Sequence, residues 1–243
     1  MNGETRMALK DRRILSFDVV GTLIDFETGI LRYVQGVAQR HGLRVEDRTI
    51  LETYAEAEHR QHGLTPNLPF PEMMAPMFRQ MAPKLGLPED DKAAESFRLS
   101  IPEWPAFPDS VAALQRLKAR FRLVALTTSS NWALSHFART LGSPFDDTVT
   151  TEDVGYNKPD PQTFAYMRGR QSVHGYGLQD FLHVAQSQYH DIAVAKRLGF
   201  EVCWIERRKG QEGSGATPVS ERADPDYHFA TLAELADAVD AAF

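Results

Sequence analysis

The stretch Ile14-Leu15-Ser16-Phe17-Asp18-Val19-Val20-Gly21-Thr22-Leu23 constrains this chain more than any other. Its first four residues are apolar or small, the composition of a parallel strand buried on both faces. Asp18 follows at the expected carboxyl end of that strand, and Gly21 and Thr22 then break the strand and turn the chain. Open α/β sheets gather ligands at the carboxyl ends of their strands. An acid there, beside a glycine that lets backbone N–H groups come close, is placed to act as a nucleophile. Read alone, the same residue serves equally as a strand-terminating Asp that caps a turn.

Helical periodicity follows. Ile30, Leu31, Val34, Val37 and Ala38 share one face of a helix expected over 28–41, and further helices are expected over 47–62, 71–85 and 89–99. None of this region alternates as a strand does, so residues 28–104 are expected to form a separate all-helical unit inserted into a core made of 1–27 and 105–243. The proline-rich run Ile101 to Pro108 returns the chain to that core. Met73, Met74, Met77 and Met81 fall at near-helical spacing and are expected to fill the interior of the insert, with a pliable pocket lid as the alternative use.

Strands expected at 122–127, 147–150, 181–185, 201–205 and 227–229 then alternate with helices at 109–119, 131–141, 160–169 and 190–198. Alternation of this kind implies a parallel sheet with right-handed crossovers, hence an α/β fold. Residues 208–224 are polar and rich in glycine and are expected to be a mobile loop, and Thr231-x-x-Glu234 reads as a capping box opening a last helix.

Composition excludes several classes of function. A net charge of −6 gives no support for nucleic-acid or anionic-membrane binding. No stretch approaches the length of a membrane span, and the single cysteine, Cys203, sits in an apolar run and is expected to be a buried strand residue. A cytoplasmic location is the default expectation.

Three more strand ends carry polar residues that would converge on Asp18. Thr127-Thr128-Ser129-Ser130-Asn131 offers hydroxyls and successive N–H groups at a helix start, suited to a carboxylate, although one of the two serines is expected simply to cap that helix. Lys158 precedes a helix opened by Pro159-Asp160-Pro161, and a lysine reaching Asp18 would keep that carboxylate ionised. The fourth strand runs into Gln186-Ser187-Gln188-Tyr189-His190-Asp191; a histidine opening an exposed turn is expected to be solvated.

These four segments together resemble the motifs of the haloacid dehalogenase superfamily. The resemblance implies a Rossmann-like parallel-sheet core with an all-helical cap inserted after the first strand. It also implies a catalytic set of Asp18, Lys158 and Asp191, with Asp191 orienting the lysine or activating water. Thr22, Thr127, Thr128, Ser129, Gln186, Ser187 and Gln188 are the implied substrate-binding residues. Val20 stands where phosphatases of the superfamily carry a general acid, and a halide, unlike an alkoxide, leaves without a proton. Gln186 replaces an acid of the magnesium site. Magnesium prefers anionic oxygen ligands, so neither a metal nor any other cofactor is expected. The departures match the hydrolytic 2-haloacid dehalogenases.

Two differences from that branch bear on substrate. Ala55 takes the place of its cap arginine and Phe164 that of a tyrosine, while Arg32 and Arg60 are expected at the surface. A small-molecule carboxylate is therefore the expected partner, with halide as the leaving group or, alternatively, the ring nitrogen of a cyclic amino acid such as azetidine-2-carboxylate. Phosphate-ester hydrolysis ranks third, a catalytically idle binding protein stays open as a different class, and a homodimer is left open as well.

Overall fold

The computed structural model describes residues 8–217 and 220–243. Strand β1, Ile14–Phe17, is buried at all four positions, as a strand covered on both faces must be. Four helices of the insert follow: α1 Phe26–Arg40, α2 Asp47–Leu64, α3 Phe70–Lys84 and α4 Asp91–Leu99. Then come α5 Ser110–Lys118, β2 Arg122–Leu126, α6 Asn131–Thr140, β3 Asp147–Val149, the short α7 Thr151–Val154 and α8 Pro161–Ser172. The chain ends with β4 Phe181–Ala185, α9 Ala193–Arg197, β5 Glu201–Ile205, β6 Tyr227–Phe229 and α10 Leu232–Ala242.

The six strands are parallel, in the order β3-β2-β1-β4-β5-β6. This is an α/β fold with β1 near the middle. The order reverses direction between β1 and β4, which is where a crevice opens at the carboxyl ends of the strands. Alternate residues of β1 serve the two faces. Leu15 and Phe17 join the apolar cluster that includes α5 and α10, and Ile14 joins the one that includes Phe164, Met167 and Ile192.

The inserted helices pack on one another around Met73, Met74, Met77, Met81, Phe78 and Phe97, all nearly or fully buried. The methionines are thus interior packing, and none of them lines the cavity described below. The outgoing and returning chains are tied where they cross, with the Asp25 N–H donating to the Pro105 carbonyl at 2.8 Å. Close by, α1 lies so near Trp104 that a Cβ on Gly29 would fall 2.4 Å from the indole Cδ1. Trp104 is 1% exposed and has no room to retreat. Gly29→Ala is expected to lower stability by about 1–3 kcal/mol through overpacking, seen as a lower urea midpoint at unchanged slope.

Three expectations need correction. The helix expected over 190–198 begins earlier, as a π-helical turn at Gln188–Ile192, with Ser187 accepting from the His190 N–H. Helix α7 was not foreseen; four residues are too few to show helical periodicity, and its capping box, Thr150 with Asp153, is the local signal. The described part of the segment 208–224 is not loose. Ala216 is fully buried, its N–H donates to Glu27 Oε1 at 2.8 Å, and Arg208 pairs with the same carboxylate. Residues 218 and 219 of that segment lie outside the described residues. At the last helix, Thr231 caps the Glu234 N–H, while the Glu234 carboxylate reaches the Ala230 N–H rather than that of the cap itself.

Candidate active site

Asp18 continues the ladder of β1, donating its N–H to the Val184 carbonyl at 3.0 Å. Gly21 then takes a φ of +90°, a conformation that favours glycine, and a Cβ there would press on the Phe26 ring at 3.2 Å. That turn brings Thr22 back over the strand end, where its hydroxyl donates to Asp18 Oδ2 at 2.6 Å and accepts from the Gln186 N–H at 2.8 Å.

Lys158 enters from the connection between β3 and α8 and is 1% exposed. Its Nζ donates to Asp18 Oδ1 at 2.8 Å, Asp191 Oδ1 at 2.7 Å and the Leu126 carbonyl at 3.0 Å. An ammonium has three donors, and all are used. Asp191, on the π-helical turn, accepts on the same Oδ1 from His183 Nε2 at 2.9 Å. Because an ionised carboxylate only accepts, His183 donates from Nε2, and its Nδ1 lies 2.9 Å from the Ser16 hydroxyl. The other oxygen of Asp191, Oδ2, is buried and has no hydrogen-bond partner among the described residues.

Charge follows this wiring. Burial raises Asp18 above the ordinary carboxylate range, and repulsion from Asp191 adds to this against the opposing pull of Lys158. Burial also works to raise Asp191, but Lys158 and the His183 bond outweigh it and hold this carboxyl low. Lys158 is held firmly protonated by both acids in spite of its own burial.

A cavity of about 50 Å³ opens on this cluster, lined by Asp18, Val20, Phe26, Glu58, Phe70, Thr128, Lys158, Gln186, Ser187, His190, Asp191 and Thr217. A wider cavity of about 410 Å³ adjoins it and shares Phe26, Gln186 and Thr217. Thr128, Gln186 and Ser187 are thus brought to Asp18. Thr127, Ser129 and Gln188 do not line this cavity. The turn after β2 closes on itself, Thr127 Oγ1 accepting from the Ser129 N–H at 3.3 Å, while Ser130 supplies the helix cap. Gln188 is held by the Ala223 N–H at 3.0 Å and faces a different cavity, with Trp204 and Arg222. Arg32 and Arg60 are exposed. Among the described residues, no group of three or more His, Cys, Asp or Glu side chains is placed to hold a metal ion.

The model of one family, the haloacid dehalogenase-like hydrolases, matches residues 13–199. This chain belongs to that family. Among its relatives is an (S)-2-haloacid dehalogenase of Pseudomonas fluorescens, 25% identical over 80% of this chain and 84% of that protein. The fold is similar to that of an L-2-haloacid dehalogenase with a TM-score of 0.74, at 24% identity over 95% of this chain and 99% of the other. It is also similar, with a TM-score of 0.75 and 17% identity over 94% of this chain and 98% of the other, to the L-2-haloacid dehalogenase of Xanthobacter autotrophicus with chloropropionic acid covalently bound.

Several features of this hydrolase's site were not foreseen from its sequence. His183 sits in the middle of β4, where it reads as strand filling, yet it buttresses Asp191. Asn157, next to the lysine, donates to the carbonyls of Pro66 and Leu68 at 2.9 and 2.7 Å, and the Phe70 N–H donates to the Thr128 carbonyl at 2.9 Å. These bonds seat the α2–α3 connection on the sheet's carboxyl end. His190 is half-buried and lines the cavity, and desolvation lowers its pKa to about 3, leaving a neutral imidazole. Glu58, on α2, brings a third acid to the cavity.

Proposed function

We propose that this hydrolase displaces a leaving group from a carbon centre of a small 2-substituted carboxylic acid, with Asp18 as nucleophile and without a metal ion. The observation that carries this reading is the wiring of Asp18. Each of its oxygens holds one donor, Lys158 on Oδ1 and Thr22 on Oδ2, in a cleft that Glu58 and Phe70 of the inserted helices help to line. Whichever oxygen attacks carbon, the other keeps a donor. The leaving group departs with its bonding electrons and an aspartyl ester forms.

Water then attacks the carbonyl carbon of that ester. Asp191 Oδ2, buried and unpartnered, is the base available to take its proton. The developing oxyanion already faces the Lys158 ammonium or the Thr22 hydroxyl, donors preorganised before charge appears. Collapse frees the product alcohol and restores Asp18. A single ammonium bridges both carboxylates, and Val20 and Gln186 contribute no acid, so the donor set does not suit magnesium.

The names of the relatives favour halide as the leaving group. A second reading, opening of a strained ring in a cyclic amino acid, is favoured by the cavity itself: no arginine lines it and Glu58 does. Incubation with 2-chloropropionate and with azetidine-2-carboxylate, reading chloride from one and 2-amino-4-hydroxybutyrate from the other, tests both. Hydrolysis of at least one substrate, insensitive to a chelator, is expected. Inertness toward both, with magnesium-dependent phosphate release from esters, would contradict the reading.

A further inference from the structure

Glu58 stands apart from the catalytic wiring. It projects from α2 into the cavity that holds Asp18, and it lies on the boundary with a second cavity lined by His59, His62, Asn157, Asp160, Tyr189 and His190, among others. Its carboxyl makes no hydrogen bond or ion pair among the described residues, unlike Asp18 and Asp191. Glu58 is half-buried and lines the cavity, so its carboxyl is within reach of a ligand that enters there.

The charges around it say what kind of ligand. Asp18 and Asp191 are negative, and Lys158 spends all three N–H groups on them and on the Leu126 carbonyl. His190 is neutral. No other cation lines the cavity. A simple haloacid anion would enter a region already negative on balance and find only neutral donors, the Thr128, Ser187, Gln186 and Thr217 side chains. A zwitterion would set its carboxylate against those donors and bring its own positive charge to Glu58.

We infer that Glu58 receives a protonated amine, so that the substrate of this site is a small amino or imino acid, whichever bond to carbon is broken. The inference rests on the cavity at Asp18 being the substrate site, and not on Asp18 being the nucleophile. Desolvation lifts the Glu58 carboxyl from 4.5 to about 8, so near pH 7 the protonated form predominates. Seating an ammonium beside it drives that proton off. The opposite use of the same group, donation of the proton to a substrate carboxylate, leaves it in place.

Two rings of the same size separate these uses: azetidine-2-carboxylate carries the cationic nitrogen and cyclobutanecarboxylate lacks it. Binding is measured calorimetrically in the Asp18→Asn protein, where no turnover intervenes, in two buffers of different ionisation enthalpy at pH 7. Azetidine-2-carboxylate is expected to bind about 30-fold tighter than cyclobutanecarboxylate, as a charge-assisted bond implies, and to release protons as it binds. Glu58→Gln is expected to erase both the preference and the proton release. Equal binding of the two rings, or a preference that survives Glu58→Gln, would overturn the inference. The preference between the two rings needs only the protein with Glu58 intact, so its absence overturns the inference even where Glu58→Gln does not fold. Failure here leaves the nucleophile untouched, because the labelling of Asp18 is read separately.

Discussion

Asp18→Asn is expected to lower turnover by at least about 10⁴-fold while leaving the fold intact, the scale of loss seen when a covalent nucleophile is removed. The amide matches the carboxylate in shape and buries no more surface. One oxygen still accepts from Lys158, which held Asp18 Oδ1 at 2.8 Å. The amide nitrogen then meets the Thr22 hydroxyl, which can turn to accept instead of donate. The change lies in chemistry: a neutral amide does not displace a leaving group at carbon. Single-turnover rates and a urea melt of the same preparation check both halves, and a variant that keeps a tenth of wild-type turnover would count against the nucleophile.

Removing the lysine produces a different pattern. Lys158→Met keeps the length of the side chain but deletes the charge, leaving Asp18, 6% exposed, and Asp191, fully buried, with no counterion between them. Stripping one partner from a buried ion pair costs about 3–5 kcal/mol, so the melt shifts as well as the rate. The sign of the pH effect follows from the wiring. Lys158 favours the ionised form of Asp18, and burial together with Asp191 already raises its pKa. Without the ammonium that pKa rises further, and the acid limb of kcat/KM moves to higher pH. Stability of the variant, as a consequence, falls more steeply as the pH is raised, because carboxyls with raised pKa values hold protons in the folded state that the unfolded chain gives up. An unchanged acid limb would mean that Lys158 does not govern Asp18.

These two residues were also the ones most legible in the sequence, and for a local reason. Asp18 ends an apolar run and is followed by a turn glycine, and Lys158 precedes a helix announced by Pro159 and Pro161. Each signal lies within a few residues of the group it places. The parallel sheet was legible in the same way, through alternation of strand and helix, and strands 181–185, 201–205 and 227–229 carry the expected bounds. What was not legible depends on contacts far apart in the chain. Glu58 lies in a run of alanine, glutamate and histidine that reads as a solvated face until the α2–α3 connection is docked through Asn157 and Phe70. His190 reads as a surface residue on the same grounds, because its partial cover includes His62 of the inserted helices, at a ring distance of 5.6 Å. The π-helical turn that places Asp191 differs from an α-turn in its hydrogen bonding and not in its residue types, so no pattern in the chain announces it.

The most direct test of the account follows oxygen. One turnover is run in ¹⁸O-water with enzyme in excess over substrate, and both the product and the peptide holding Asp18 are weighed. Attack of water on an aspartyl ester delivers the label to Asp18 and leaves the first product unlabelled, its new oxygen having come from the carboxylate. A first product that carries ¹⁸O, with the Asp18 peptide unchanged in mass, would show that water attacks the substrate directly and that the covalent route is wrong.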